Sequence, residues 1–520
     1  MSPARERALI GAGALACLVM YVIALDPNLF LWGDNAHYII VAKSLATGHG
    51  FRDIHTPGSP PFTFPVPLFP LALAPIVRFF DYDLVPLKLF VAVIAVLTVL
   101  AAWRLFHLLL DVRRAVLLTF MVAVSPQFVS FSHQVMTELP YLGLSLIALL
   151  WAIRYAGQER AFGRTAACTV VAVTAATLTR TIGVTLVLGI AAFLAIDGAG
   201  DLRRRIGKAA LLCACCAVVW LAANASILAA IPYYGEFRHG TASAQHGAIG
   251  TGLFSRVSTN VAAYAGALPE TVYYGYSLRD PAPKLVGAAI IFVTLLGFAY
   301  AVWRKRSSLE YYCVAYAGIL LLYEPSNSGN LRRYLVPLIP FLFYYFARGI
   351  EGLAVLAEQM RWSRAAALRW SRPATLALLA FIGLANFART VQASVLHRQP
   401  EMFDFYRWGD FTGYRRMAEW VRVNTPASGI VATRGTYVFH LWSHRRVLWL
   451  PYVAPGASDS TIAAAARQQG LTYVTTDSTA AADTALFATL ARDHRDFAEV
   501  YAERRNRVYR VLPAPADSAR

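Results

Sequence analysis

Long apolar stretches, separated by short polar segments, occupy the first 391 residues of the chain. A helix needs about 20 apolar residues to cross the hydrocarbon core of a membrane, and it satisfies its own backbone hydrogen bonds there. The pattern predicts about eleven transmembrane helices, at 8–25, 86–108, 115–131, 139–156, 165–178, 182–196, 208–231, 284–303, 310–323, 334–350 and 373–391. The two stretches between 165 and 196 are short for separate spans, so the count is open by one or two.

The composition also indicates a membrane protein. Of the 520 residues, 57% are hydrophobic and 15% are charged, which is more apolar surface than a soluble fold of this size hides from water. The formal net charge of +18 suggests nucleic acid at first, but the basic residues cluster at the ends of apolar stretches, as at 203–208 and 304–306. That placement is typical of a topology signal, and we expect no nucleic-acid partner.

The basic clusters predict which loops lie outside. With residues 1–7 in the cytoplasm, every cluster falls on the cytoplasmic side. The loops at 26–85, 132–138, 232–283 and 324–333 then lie outside, with everything after about residue 392. The run 8–25 begins like a secretory signal but has no small-residue cleavage site after it, so we predict a retained helix.

Two external segments are predicted to hold structure of their own. Within 26–85, Ala36 to Leu45 spaces its apolar residues as an interfacial amphipathic helix does. After residue 410, apolar runs at 429–433, 447–450 and 471–475 alternate with helix-like stretches at 412–423 and 461–469, which predicts a small α/β domain. The expected fold class is an α-helical polytopic membrane protein, with a transmembrane domain at 1–391 and a soluble extracytoplasmic α/β domain at 392–520.

Two external carboxylates are candidate catalytic groups. Asp34 lies about nine residues beyond the first helix, near the membrane surface yet in water, where it can act as a base. The alternative is a cap for the helix that begins near Ala36. Glu138 lies at the start of the fourth span, where an ionisable group is costly unless it is used. Its alternative is helix-start chemistry, since acidic residues favour the first turn and Pro140 suits that position.

Positive charge on the same side runs against the topology rule. Arg180 interrupts an apolar stretch, and Arg332, Arg333 and Tyr334 stand at the start of the tenth span. A bound lipid phosphate would explain these arginines, and snorkelling to headgroups is the alternative. The external histidines at 55, 133, 239 and 246 lack metal-binding spacing, so we expect none of them in particular to be a ligand.

Taken in order, these residues make the chain resemble the GT-C superfamily of membrane glycosyltransferases. The resemblance is especially to the bacterial group that includes the lipopolysaccharide-core transferases and the lipid A aminoarabinose transferase, with the protein O-mannosyltransferases as more distant relatives. The likeness covers most of the chain and rests on Asp34, Glu138, Arg180, Arg333-Tyr334-Leu335-Val336-Pro337 and the tail segment Trp420-Val421-Arg422-Val423-Asn424-Thr425-Pro426. The mannosyltransferases carry an Asp-Glu pair where this chain has Asp34-Asn35, which argues against strict protein mannosylation and leaves the acceptor open.

The resemblance implies transfer of a sugar, with inversion, from a polyprenyl-phosphate carrier to a hydroxyl of a lipid, glycan or protein acceptor. Asp34 would be the general base. The phosphate of the carrier would be bound, and its charge compensated, by Arg180, Arg332, Arg333 and Tyr334, together with a divalent metal ion held by Glu138. A bacterial inner membrane is the expected location, because the tail is free of cysteine and the chain lacks retention signals.

Three other functions fit parts of the pattern. A transporter or flippase for a lipid-linked sugar would use the same surface, but such proteins usually carry internal repeats and charges near the bilayer midplane. A sugar-polymer ligase that uses diphosphate-lipid donors would be expected, by resemblance, to have a late loop rich in Arg and His, and 232–283 contains Arg238, His239 and His246. The third is a scaffold whose tail binds a partner in the cell envelope.

Overall fold

The computed structural model of the protein describes residues 3–26, 29, 34–62, 64, 66–225, 253–273, 281–304, 306–322, 328–359, 364–396, 411–449, 459–476, 490 and 494–514. Up to residue 396 the described elements are helical. These helices are α1 (Pro3–Ile23), α2 (Asn35–Ala46), α3 (Leu68–Phe80), α4 (Leu84–Leu109), α5 (Val112–Val124), α6 (Pro126–Phe131), α7 (Glu138–Ala156), α8 (Arg164–Thr179), α9 (Val184–Asp197), α10 (Leu202–Ala223), α11 (Leu253–Val272), α12 (Pro281–Arg304), α13 (Ser308–Leu322), α14 (Ser328–Leu335), α15 (Ile339–Gln359) and α16 (Arg364–Leu396).

The helices match a membrane protein in length and composition. Among the described residues, six helices are long and apolar enough to cross a membrane: α1, α4, α7, α10, α12 and α16. Each predicted span overlaps a helix of the structure, and α8, α9 and α13 are shorter apolar helices. The protein is therefore a helical membrane protein, while the number of spans stays a prediction.

Close approach of backbones holds part of this helical bundle together. Helices α12 and α15 cross at Gly297 and Gly349, where a Cβ on Gly297 would overlap the carbonyl of Tyr345 and one on Gly349 would overlap the carbonyl of Val293. Small residues at such crossings let helices gain dispersion contacts in lipid, where burial of apolar surface gives little driving force.

Helix α11 lies inside the segment 232–283 that the sequence predicts as a loop. Polar residues such as Ser258, Thr259 and Asn260 interrupt its apolar sequence and lower its hydropathy. The Asn260 amide is buried and donates to the carbonyl of Leu321 at 3.0 Å. A polar side chain is thus satisfied by a neighbouring helix, which a hydropathy pattern does not reveal.

The first long loop holds α2 and α3, and α2 covers the helix predicted at Ala36 to Leu45. The interfacial setting predicted for Ala36 to Leu45 is wrong, however, because α2 is buried on all sides rather than on one face. It packs against α3 and against a helix from the far end of the chain. Protein covers the face that the amphipathic pattern assigned to headgroups.

A mixed five-stranded sheet forms the described part of the chain after residue 410. Its elements are α17 (Phe411–Asn424), β1 (Ile430–Thr433), α18 (Thr436–Ser443), β2 (Arg446–Trp449), α19 (Asp459–Gln468), β3 (Tyr473–Thr476), β4 (Phe497–Glu503) and β5 (Asn506–Val511). The strand order is β2-β1-β3-β5-β4, with β1 parallel to β2 and β3, and with β5 antiparallel to β3 and β4. Val431 of β1 packs with α17 on one face, and Ala432 packs with α19 on the other.

The sheet region is docked onto the first long loop. The backbone N–H of Val447 donates to the carbonyl of His55 at 2.7 Å. Val438 and Leu441 of α18 belong to the same apolar core as the helices of the bundle. The boundary of a separate C-terminal domain at residue 392 stays a prediction.

Candidate active site

Asp34 directly precedes α2 but does not cap it. Its side chain makes no hydrogen bond to the first turn of the helix. Its Oδ2 instead lies 2.6 Å from Nη2 of Arg333, and 39% of the side chain is exposed to solvent. The carboxylate is thus held by an ion pair while it remains reachable from water, which favours the chemical interpretation of Asp34 over the capping one.

Glu138 is the first residue of α7 and is fully buried. Its Oε1 accepts from Nη1 of Arg180 at 2.5 Å and from Nε of Arg333. A buried carboxylate is costly unless it is paired, and two guanidiniums supply that pairing here. Its Oε2 is also buried and has no hydrogen-bond partner among the described residues.

Arg180 reaches Glu138 because the helical conformation is interrupted between α8 and α9. The Arg180 backbone is extended, and a short 3-10 turn at Thr181–Gly183 leads into α9. Gly183 packs so closely that a Cβ there would lie 2.6 Å from Cα of Thr177, so this turn needs glycine. The Arg180 guanidinium also donates to Oγ1 of Thr137 at 3.0 Å, which fixes its direction.

Arg333, near the end of α14, joins the two carboxylates. Its Nε bonds to Glu138 and its Nη2 bonds to Asp34, so one planar guanidinium bridges a buried and an exposed acid. Two carboxylates and two guanidiniums sum to a formal charge of zero in this four-residue network, which we call the ion cluster. The structure therefore brings together four residues that the sequence selected separately.

Arg332 and Tyr334 lie apart from the ion cluster. Arg332 is half exposed and pairs with Glu270 of α11 at 2.7 Å. The carbonyl of Tyr334 accepts a hydrogen bond from the Tyr316 hydroxyl at 2.9 Å. Successive helical side chains point about 100° apart, so three neighbours cannot all face one site. Their donor-binding role stays a prediction, with less geometric support than that of Arg333.

Tyr38, close to the ion cluster, was not among the predicted site residues. Tyr38 is buried one helical turn after Asp34, and burial, followed by the charge of Asp34, raises its pKa to about 12. It is therefore protonated at neutral pH and can donate a hydrogen bond but not act as a base. Its i+4 spacing from Asp34 was the available signal, because such residues share a helix face.

The external histidines do not join the ion cluster. His55 is buried against the rings of His37, Tyr437 and His440. His133 is also buried. The positions 239 and 246, and Arg238 of the ligase alternative, lie outside the described residues.

The metal ion that the resemblance implies at Glu138 finds little support in the donor set. No group of three or more His, Cys, Asp or Glu side chains placed to hold a metal occurs among the described residues. A cation at Glu138 Oε2 would lie beside two guanidinium charges, which repel it. The arrangement does not fit a divalent ion, and we assign no step to one; the metal stays a prediction to be tested.

Comparison with known proteins addresses the fold of this site. The family model of dolichyl-phosphate-mannose-protein mannosyltransferases matches residues 60–223, a stretch that contains Glu138 and Arg180 but neither Asp34 nor Arg333. No curated protein matches the sequence significantly.

Three solved structures are similar over most of this chain. ArnT from Cupriavidus metallidurans, in the apo state, has a TM-score of 0.61 at 13% identity, over 98% of this chain and 99% of its own. AglB from Archaeoglobus fulgidus, an archaeal oligosaccharyltransferase, has a TM-score of 0.57 at 15% identity, and the match covers 90% of this chain and 69% of AglB. The arabinofuranosyltransferase AftD from Mycobacteria has a TM-score of 0.53 at 14% identity, and the match covers 98% of this chain and 42% of AftD.

The chain has the GT-C fold. The resemblance inferred from the sequence is thereby confirmed, and the similarity to ArnT extends over nearly the whole length of both chains. At this low identity the likeness concerns the fold, and the reaction has to be argued from the ion cluster.

Proposed function

We propose that this protein is an inverting glycosyltransferase that moves a sugar from a polyprenyl-phosphate carrier to an acceptor hydroxyl at the extracytoplasmic face of a membrane. The ion cluster is the observation that carries this proposal. It combines a solvent-accessible carboxylate, Asp34, with the guanidiniums of Arg333 and Arg180, which can meet a phosphate. A general base and anion-binding groups side by side are what transfer from a phosphate carrier requires.

The step follows from these roles. The acceptor oxygen attacks the anomeric carbon, and Asp34 takes the proton of the acceptor hydroxyl. The bond from the anomeric carbon to the phosphate oxygen breaks, and the polyprenyl phosphate leaves as an anion with the bonding electron pair. Attack opposite the leaving group inverts the anomeric configuration. No strong general acid is needed, because the leaving phosphate is already a stable anion.

Arg333 couples donor binding to the base. In the free protein Arg333 is shared between Asp34 and Glu138. A donor phosphate that takes the Nη2 edge of Arg333 would leave Oδ2 of Asp34 free to accept a proton. Glu138 would keep Arg180 and the Nε edge of Arg333 in place, so its role is to position the two arginines.

The solved relatives support a lipid-linked donor. ArnT has been solved with undecaprenyl phosphate, with a TM-score of 0.57 at 12% identity to this chain, and AglB with an inhibitory peptide and a dolichol-phosphate. We extend this chemistry to the present chain as part of the proposal. The same proposal includes about eleven spans, a bacterial inner membrane, the sheet region outside the cytoplasm and a lipid, glycan or protein acceptor.

The test is transfer of label from radiolabelled polyprenyl-phosphate sugars to a membrane extract by the purified protein. Asp34→Asn is nearly isosteric and should abolish transfer while the unfolding temperature stays close to that of the wild type. Asp83→Asn makes the same change at the start of α4, where the Asp83 side chain accepts from the backbone N–H of Val85 and has no ion-pair partner among the described residues. This variant should transfer normally.

Two outcomes would count against the proposal. Full transfer by Asp34→Asn would remove Asp34 as the base. Absence of transfer with every donor tried, from folded protein that binds and translocates the labelled lipid, would favour a transporter.

A further inference from the structure

A cavity of about 340 Å³ lies between the first long loop and the sheet region, away from the ion cluster. Its walls come from the end of α2, the loop after it, the turn between α3 and α4, and the segment from α18 to β2. Its lining includes the side chains of Lys43, Asp81, Tyr82, His440, His444 and Arg446.

The cavity has a surplus of positive charge. Lys43 pairs with Asp81 at 2.7 Å, so the charge of this lysine is balanced by a carboxylate of the same lining. The Arg446 side chain is exposed and forms no ion pair with a described residue. The imidazoles of His49 and His444 add polar groups to the same lining. An unpaired guanidinium on a polar wall is suited to a phosphate or carboxylate.

One wall is fixed by a hydrogen-bond chain. The Nδ1 of the buried His440 ring lies 2.8 Å from the Arg445 carbonyl, so it donates there. Its Nε2 is then an acceptor and takes the hydrogen bond of the Tyr82 hydroxyl at 3.3 Å. The Tyr82 oxygen keeps its lone pairs for a hydroxyl donor in the cavity. The lining therefore offers a sugar hydroxyl an acceptor in the same cavity as Arg446, which has no ion-pair partner among the described residues.

Helix α2 connects this cavity to the proposed base. Asp34 precedes the helix and Lys43 lies nine positions later, about 13 Å along the helix axis. Along the same helix, His37 stacks on Tyr437 with ring centroids 4.2 Å apart. A single sugar ring whose reacting hydroxyl lies at Asp34 would not reach Lys43, whereas an extended saccharide would.

We propose that the cavity binds a phosphate or carboxylate substituent of an extended saccharide acceptor whose reacting hydroxyl lies at Asp34. This inference rests on the proposed glycosyltransferase function, because it names the class of acceptor. Arg446 contacts the anionic group, and Tyr82 accepts from a neighbouring hydroxyl.

Binding can be tested without transfer. Saturation-transfer NMR on the full chain in phosphatidylcholine nanodiscs would compare glucose 6-phosphate and glucuronate with glucose. We expect the two anionic sugars to receive about three times more saturation than glucose. Arg446→Gln should lower that transfer about threefold or more, and Arg446→Lys should restore part of it. Arg505→Gln, at an exposed turn between β4 and β5, is the matched control and should match the wild type.

The outcomes separate this inference from the proposed function. Asp34→Asn should bind the anionic sugars normally, so binding survives even if no transfer is ever found. Equal saturation of glucose and the anionic sugars, or unchanged binding by Arg446→Gln, would overturn the inference. Loss of sugar binding in phosphatidylglycerol nanodiscs would overturn it too, because a lipid headgroup would then be the occupant.

Discussion

Nη2 of Arg333 lies 2.6 Å from Oδ2 of Asp34, although 299 positions separate the two residues in the chain. The same guanidinium bonds through Nε to the buried Glu138. One planar group therefore holds the proposed base and the buried anchor at once. Lysine offers a point charge without this fork geometry, so the site depends on arginine at position 333.

Replacement of Arg333 by Lys should lower kcat/KM for transfer by about tenfold to a hundredfold, since a charged bidentate contact contributes about 1.5–3 kcal/mol. Binding of the polyprenyl phosphate should weaken by a similar factor, because the donor phosphate is the expected partner. Steady-state transfer and lipid binding measure the two effects. Arg332→Lys is the control, and we expect its kcat/KM and its lipid binding to stay within about threefold of the wild type. An equal loss in both variants would place the donor phosphate between them rather than at Arg333.

Glu138→Gln should destabilise the protein, because it leaves two guanidiniums against a neutral amide in a buried site. Breaking a buried ion pair costs about 3–5 kcal/mol. The double variant Glu138→Gln/Arg180→Gln should lose less free energy of unfolding than the two single variants together. The reason is that removing both partners leaves no unpaired charge of this pair in the buried site. Denaturant unfolding in detergent gives these free energies. Strict additivity would contradict the pairing at 2.5 Å.

Chelation of metal should leave transfer within about twofold of the untreated protein. In the ion cluster, two guanidiniums already surround Oε1 of Glu138, and they can balance the charge of the leaving phosphate. The measurement is the rate after EDTA treatment and after addition of Mg²⁺, Mn²⁺ or Zn²⁺. Loss of transfer after EDTA treatment, with recovery on addition of one of these ions, would establish the metal inferred from the resemblance.

The contact between α18 and the first long loop should weaken in acid. Burial, opposed by the hydrogen bond to the Arg445 carbonyl, lowers the pKa of His440 from 6.5 to about 4. The unfolded chain therefore binds more protons than the folded one between these values. The stability from neutral His440 is complete above pH 6.5 and is lost as the pH falls towards 4, by roughly 3 kcal/mol.

Thermal unfolding between pH 8 and pH 4.5 checks this dependence. His440→Asn keeps a donor for the Arg445 carbonyl but does not titrate, so its unfolding temperature should fall less on acidification. His494→Gln, at an exposed position, should follow the wild type. A pH profile identical for wild type and His440→Asn would exclude His440 as the group responsible.

Most of the apolar helices and the four residues of the ion cluster could be predicted from the sequence, whereas α11 could not. Hydropathy is a local property, so the predicted spans fall on α1, α4, α7, α10, α12, α16 and their neighbours. Asp34, Glu138, Arg180 and Arg333 were recognisable because an ionisable residue at an apolar boundary is costly and needs a reason. The short apolar runs after residue 410 likewise lie on β1, β2 and β3.

Which of these groups meet depends on packing between distant parts of the chain. Arg332 and Arg333 look alike in sequence, but the helix turns one towards Glu270 and the other towards Glu138. The burial of α2 depends on α18, a helix about 400 positions later, and local patterning carries no information on such contacts. The antiparallel pair β4 and β5 was missed because charged residues interrupt the apolar pattern of both strands. Arg507 of β5 pairs with Glu499 of β4 across the strands, which a local pattern along the chain does not show.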